Sequence, residues 1–319
     1  MSRPDMRAVV IDSFGGPEVL RLTRLPRPVP GPGEVQVRVA AAGVDPEDCR
    51  ARRGRGAVRI PRFPAVLGWG VAGTVAATGP GVHAFAVGDR VFGMPAFPRL
   101  AGAHAEYVTA HVNELAALPE EVAFREAAGA TAAALTAWQA LFCAGGLRAG
   151  QRVLVAAASG GVGHLAVQLA RWAGAEAVGA APPGDHAFVK GLGAGQVVDD
   201  SEGVAAWQGV PFDVVVDAHG DVGEAAVRLL RPGGVLVSAA AVDADRFRAQ
   251  GRVARTVLVH PEGRQLDRVA ALLRSGELRV HVDRAFRLPE VAAAHVHVER
   301  GARGSVVLEA SDGGAAAPA

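Results

Sequence analysis

The run Ala157-Ala158-Ser159-Gly160-Gly161-Val162-Gly163 constrains the fold of this chain more than any other stretch. It follows Arg152-Val153-Leu154-Val155-Ala156, whose apolar character predicts a strand, and opens His164 to Ala173, predicted as a helix. Strand, small-residue turn and helix in that order make an anion cradle. Small side chains let the backbone approach, and the helix N-terminus turns unpaired N–H groups and a positive dipole end towards the charge. The ligand this predicts is the diphosphate of a dinucleotide. The spacing is A-x-x-G-x-x-G, a variant of the usual glycine fingerprint, so the context carries more of the reading than the spelling.

With 319 residues the chain has room for one large or two medium domains. Up to residue 125 the texture is β-rich. Arg7 to Ile11, Glu34 to Val39, Val71 to Ala77, Asp89 to Phe92 and Ala105 to Val108 read as strands, with Gly15-Gly16-Pro17 and Pro30-Gly31-Pro32-Gly33 as turns. From Phe124 the strand candidates are Val153 to Ala156, Ala177 to Ala180, Val197-Val198, Val214 to Asp217 and Val235 to Ser238. They alternate with helix candidates at 163–173, 185–191 and 222–230, and such alternation predicts an α/β fold with a doubly wound parallel sheet. A last strand, Ser305 to Glu309, precedes the low-complexity tail 310–319, expected to be disordered.

Charge and cysteine content narrow the function classes. Lys plus Arg number 33 and Asp plus Glu 32, so the basic excess of a nucleic-acid binder is missing. Cys49 and Cys143 are too few and too far apart for a disulfide framework or metal cage. The stretch Met1 to Arg7 is charged and has no apolar signal core. Ala127 to Gly146 is uncharged, but Gly129, Thr131, Thr136 and Gln139 interrupt it, which fits a buried helix better than a membrane span. A cytoplasmic enzyme with no nucleic-acid or membrane partner is the expectation.

Several further motifs are ordered along the chain: Phe14-Gly15-Gly16-Pro17-Glu18-Val19-Leu20, Pro30-Gly31-Pro32-Gly33-Glu34-Val35 and Ala42-Gly43-Val44-Asp45-Pro46. Leu67-Gly68-Trp69-Gly70-Val71-Ala72-Gly73, Val87-Gly88-Asp89-Arg90-Val91, Leu135-Thr136-Ala137-Trp138 and Leu230-Arg231-Pro232-Gly233-Gly234 continue the series. Together with the glycine turn they resemble the zinc-independent quinone oxidoreductase branch of the medium-chain dehydrogenase/reductase superfamily over almost the whole chain. The resemblance implies a GroES-like β-barrel catalytic domain at 1–122 and 262–319, a Rossmann domain at 123–261, an active site in the cleft between them, and a homodimer.

It also implies a reaction: hydride transfer from NADPH or NADH to an enone, an enoyl thioester or a quinone. Zinc-dependent relatives carry Cys at the position of Asp45 and His-Glu at Trp69-Gly70, so a metal ion is not expected here. Where the family has Asn, Tyr and an acidic residue, this chain has Asp45, Arg50 and Gly70. Asp45 and Arg50 are the catalytic candidates. Asp45 could donate a proton if burial raises its pKa, or act as a base, or simply cap the turn before Pro46. Arg50 could supply positive charge to a developing enolate.

For the cofactor, the resemblance assigns Ser159, Gly160, Gly161, Val162 and Gly163 to the diphosphate, with Thr136, Ala180, Ala218, Ala240 and Ser305 around the rest. The positions that clamp a 2′-phosphate in NADPH-using relatives are Pro182, Gly184 and Asp200, which lack cations. That leaves NADPH and NADH both open. It also leaves open a degenerate reductase fold with a non-redox role, such as ligand binding, cyclisation or elimination. Arg50, Arg52, Arg53, Arg55, Arg59 and Arg62 crowd one segment, which is either a solvated loop or a grip for phosphates of coenzyme A, a phosphopantetheine arm or an acidic carrier protein. The histidines read as scattered, with His295 and His297 on a surface segment, and Cys143 reads as core.

Overall fold

The computed structural model describes residues 4–200, 204, 207–220 and 222–310. The chain divides into two units: Met1–Ala132 with His260–Ser275 and Val280–Ala319, and Ala133–Val259 with Gly276–Arg279. The first crossing lies about ten residues beyond the expected one, because the helix Phe124–Trp138 runs straight through it.

The second unit is built on one parallel six-stranded sheet. Its order is Gln196–Asp199, Glu176–Ala181, Arg152–Val155, Phe212–Asp217, Leu230–Ser238 and Val253–Thr256. In chain order this is 3-2-1-4-5-6, the Rossmann arrangement, and its switch point falls at Arg152–Val155. Val153 and Leu154 are fully buried, as expected of a central strand covered on both faces. Leu154, Val178, Phe212, Val215, Leu236 and Phe247 form the core of one face. Two details differ from expectation. The helix foreseen at 222–230 shortens to Ala226–Leu229, since Leu230 already begins a strand paired with Phe212. The sixth strand, Val253–Thr256, escaped a reading based on apolar runs because three of its four residues are exposed.

In the first unit Glu34–Val44 is the organising strand. It pairs antiparallel with Val71–Thr78, Tyr107–His111 and Ser305–Glu309 inside a seven-stranded sheet. Its N-terminal half alternates, burying Val35, Val37 and Val39, while residues 41–44 are buried on both faces. A three-stranded sheet holds Leu20–Pro26, Asp5–Ile11 and Ala65–Val66. Helix Pro46–Arg52 starts immediately after the long strand and packs on helix Val291–Glu299. Ala310 corrects the tail boundary: its N–H donates to the Ala40 carbonyl at 3.2 Å and the residue is 2% exposed. Residues 311–319 lie outside the described ones.

The segment Phe124–Ala144, 21 residues, is apolar and long enough to cross a membrane by length and composition, yet 67% of its most apolar window is buried inside the protein. Its last turn, Gln139–Ala144, is π-helical. Cys143, expected in the core, is exposed there.

Candidate functional site

The glycine turn is built as the anion cradle requires. Helix Gly161–Trp172 starts directly after it with Gly160 as N-cap, so the first N–H groups lack intrahelical acceptors. The turn is tied down on both sides, with Ala156 N–H donating to the Val216 carbonyl at 2.9 Å and Ala158 N–H to Ala180 at 2.8 Å. Ala157 adopts φ +48°, the left-handed region that an alanine enters at a cost of about 1–2 kcal/mol. Gly163 is required: a Cβ there would lie 2.1 Å from the Ala157 carbonyl oxygen and 2.7 Å from the Ala158 Cα. At Gly160 the nearest atom would be 3.4 Å away, an ordinary contact. Ser159 is 8% exposed.

The other predicted cofactor residues of this unit sit at the same ends of its strands. Ala180 is buried near the end of Glu176–Ala181, whose last residue pairs with Asp199, and Pro182 and Asp200 follow these two strands directly. Burial raises the Asp200 carboxyl above its usual range, and the neighbouring charges of Asp199 and Asp185 add to this while His186 opposes it. Ala218 follows Phe212–Asp217, and Ala240 lies two residues past Ser238. Their loops meet where a Cβ on Gly220 would lie 2.4 Å from the Ala240 Cβ. Asp217, which sequence reasoning missed, organises this corner: its buried carboxylate accepts from Gly220 N at 2.8 Å, Val222 N at 3.2 Å and Ser238 Oγ at 3.2 Å. Thr136 is half-buried on the long helix. Ser305 belongs to the other unit. It lies on a strand of the first unit, 6% exposed, and its hydroxyl donates to the Gly129 carbonyl at 2.8 Å, tying helix to strand.

In the first unit, Asp45 is the N-cap of Pro46–Arg52 and Asp48 its N3 residue. Asp45 N–H donates to Asp48 Oδ2 at 2.8 Å. Burial first, and then the charge of Asp48, push the Asp45 carboxyl up to about 7, with Arg50 pulling the other way. Asp48, 1% exposed, is also pushed up to about 7 by burial, against the lowering effect of N–H donors from Asp45 and Gly68. The Asp45 carboxyl faces small residues: a Cβ on Gly43 would stand 3.5 Å from its Oδ2, and one on Gly43 or Gly70 would meet the Ala128 carbonyl at 3.1 Å. Arg50 is half-exposed, and its Nε donates to Glu47 at 2.8 Å, so its charge is already engaged.

Two histidines that read as scattered belong to this group. His104 and His295 are both fully buried, with ring centroids 5.9 Å apart at 84°. His295 is therefore not on a surface segment; the helix Val291–Glu299 turns it inward while His297 pairs with Asp283 at 2.6 Å. Burial lowers His104 to about 4 and His295 well below its usual range. Neutral His104 donates from Nε2 to the Gly43 carbonyl at 3.1 Å, an assignment that follows from the partner being a carbonyl. Cys49 is buried and its thiol lies 3.4 Å from His295 Nδ1; burial pushes it up to about 12, so it is a thiol and not a nucleophilic thiolate. No local spacing announces this cluster, because its members come from residues 48–49, 104 and 295.

Comparison with known proteins decides the family. Residues 31–120 match the family described as Alcohol dehydrogenase GroES-like domain, and residues 192–308 the one described as Zinc-binding dehydrogenase. NAD(P)H oxidoreductase RTN4IP1, mitochondrial, of Danio rerio is 32% identical over 96% of this chain and 92% of its own length. Quinone oxidoreductase of Rattus norvegicus is 41% identical over 55% of this chain, and the match spans 53% of that relative. The solved quinone oxidoreductase from Coxiella burnetii superposes with a TM-score of 0.90 at 34% identity, covering 97% of this chain and all of that one. The chain belongs to the quinone oxidoreductase branch of the medium-chain dehydrogenase/reductase superfamily.

One of the matching families carries zinc in its description, so the donor set of this quinone oxidoreductase-branch chain decides whether a metal fits. Gly70 has no side chain, the indole N–H of buried Trp69 donates to the Arg99 carbonyl at 2.7 Å, and a lone Asp45 does not hold a catalytic zinc. Among the described residues no three His, Cys, Asp or Glu side chains come together in a metal-holding group. The residues present do not fit the metal. The turn at Ala157–Gly163 has the form a dinucleotide diphosphate needs, since it leads into the N-terminus of helix Gly161–Trp172 and Gly163 carries no Cβ to push the turn off the helix.

Proposed function

We propose that this chain is a zinc-independent, NAD(P)H-dependent reductase of activated alkenes or quinones, with NADH as the preferred form. The observation that carries the reading is the tethered turn before helix Gly161–Trp172, with Gly163 seated against backbone where no side chain fits. When bound, a reduced nicotinamide supplies the hydride that the acceptor's electron-poor carbon takes up. The chain's own residues must then hold the acceptor and return a proton. Asp45 is suited to return it, since it caps a helix held by the fold, faces small residues, and is kept about half protonated at neutral pH.

A raised carboxyl holds its proton below about pH 7, so kcat should be level on the acid side and fall about tenfold per pH unit above it. Asp45→Asn keeps the cap but has no proton to give; kcat should drop about 100-fold and lose this alkaline limb. A wild-type kcat that stays flat between about pH 6 and 9 with both acceptor types would overturn the role of Asp45.

The preference for NADH rests on Pro182 and Asp200 at the ends of adjacent strands, with Asp185 and Asp199 close enough to raise Asp200. Carboxylates repel a 2′-phosphate dianion that an arginine would bind. NADH is expected to bind at least about tenfold more tightly than NADPH, and Asp200→Arg to close that gap. Parallel fluorescence titrations of the two nucleotides measure it. Tighter NADPH binding by the wild type sinks the preference. If neither binds, the reductase reading fails and the non-redox alternative takes its place.

A further inference from the structure

The segment from Arg50 to Phe63 separates its six arginines into two kinds. Arg52 and Arg53 both contact Glu299, at 2.5 and 3.1 Å, and Arg50 pairs with Glu47 at 2.8 Å. Arg55, Arg59 and Arg62 are exposed and have no ion pair among the described residues. No carboxylate occurs in the sequence between Asp48 and Asp89, so nothing nearby along the chain neutralises them.

This loop is held in place. Arg55 N–H donates to the Arg50 carbonyl at 2.8 Å, and Ala57 N–H to Glu47 Oε1 at 2.7 Å. Val58 is buried beneath it. Gly54, at φ +72°, lies against the Phe14 ring, where a Cβ would come within 3.0 Å of Phe14 Cγ. Phe14 and Phe63 meet edge to face at 5.1 Å and remain 47% and 38% exposed. The loop is thus anchored on the aromatic pair at both ends, by Gly54 against Phe14 and by Phe63 itself, and a loop carrying three uncompensated guanidinium groups between such ends matches a ligand with several phosphate charges and a flat base. Guanidinium forks bind phosphate in bidentate fashion, and ring faces stack on a base.

The position of the loop narrows the ligand further. Helix Pro46–Arg52 runs from Asp45 to the loop, so Arg53 lies about 12 Å along the helix axis from Asp45. A ligand that reaches both ends carries its reacting group and its phosphates on opposite ends of an extended arm. A free quinone has no such arm.

We propose that the face formed by Arg55, Arg59, Arg62, Phe14 and Phe63 binds the adenosine 3′,5′-bisphosphate end of coenzyme A, and that the acceptor is an enoyl-CoA thioester. The choice of acceptor rests on the reductase reading above; the binding face does not. The test is calorimetry on the full chain at saturating NADH, so that the Rossmann unit does not compete for adenine. Coenzyme A and adenosine 3′,5′-bisphosphate should both bind, more weakly as salt is raised. The combined variant Arg55→Glu, Arg59→Glu, Arg62→Glu, with its fold checked by thermal melting, should weaken both by about 30-fold or more.

A second measurement compares kcat/KM for crotonyl-CoA with that for the crotonyl thioester of N-acetylcysteamine, which has the alkene and no phosphates. The wild-type ratio should be about 30 or more and should collapse towards one in the variant. Equal coenzyme A affinity in wild type and variant overturns the binding face. If the variant loses coenzyme A but the wild type reduces neither thioester, the face stands and the enoyl-CoA assignment falls. Reduction of both thioesters at a ratio near one by a wild type that does not bind coenzyme A overturns the proposal and leaves the reductase reading in place.

Discussion

Replacing Gly163 by alanine should abolish nicotinamide dinucleotide binding, weakening it at least about 100-fold, or roughly 2.7 kcal/mol. The new Cβ would stand 2.1 Å from the Ala157 carbonyl oxygen and 2.7 Å from the Ala158 Cα. Both are backbone atoms, and Ala158 is held by Ala180, so no rotamer change relieves the overlap. The turn must move away from the helix, and with it the N–H groups that would face the diphosphate. Overpacking of this kind also costs about 1–3 kcal/mol of stability. Gly160→Ala supplies the contrast, since its Cβ would meet nothing closer than 3.4 Å and its φ is −80°. Fluorescence titration with NADH and a thermal melt on both variants check the prediction. Wild-type affinity in Gly163→Ala would remove the turn from the cofactor site.

Replacing Arg52 by methionine should be among the most destabilising single changes in the first unit, by about 3–5 kcal/mol. Arg52 is fully buried; its Nη2 lies 2.5 Å from Glu299 Oε1 and its Nε donates to the Gly15 carbonyl at 3.2 Å. Methionine replaces the apolar stem but leaves Glu299 with only Arg53, which is half-exposed, and leaves the Gly15 carbonyl without this donor. The double variant Arg52→Met, Glu299→Gln should recover part of the loss, because the stranded carboxylate is then gone. Urea unfolding of the wild type, both singles and the double closes this cycle. A loss below about 1 kcal/mol in Arg52→Met would show that the pair behaves like an exposed one.

What could be read along the chain depended on whether partners are neighbours in sequence. The β-α-β alternation and the glycine turn are local, so the parallel sheet was legible before any contact was known, whereas its strand order and the switch point at Arg152–Val155 came from the pairing itself. The strand Val253–Thr256 was not, because an exposed edge strand needs no apolar run. The acid pair was half legible. Asp45 stood out as a departure within a motif, whereas Asp48 gained meaning only once its carboxylate was seen buried and accepting the Asp45 N–H.

The histidines show the same limit. Sequence separation placed His104 and His295 far apart, and the loop before strand Tyr107–His111 and the inward face of helix Val291–Glu299 bring their ring centroids to 5.9 Å. The arginine segment read as one basic run, and the tertiary structure divided it, because Glu299 arrives from the far end of the chain to neutralise Arg52 and Arg53. The sequence by itself determined the β-α-β alternation and the small-residue turn before helix Gly161–Trp172, since these rest on periodicity and on a backbone turn spanning a few residues, and its ordered motifs carried the resemblance to the family. Only the tertiary structure decided which charges remain available and which acids hold their protons. Burial and long-range pairing set both, and neither is a property of any local stretch.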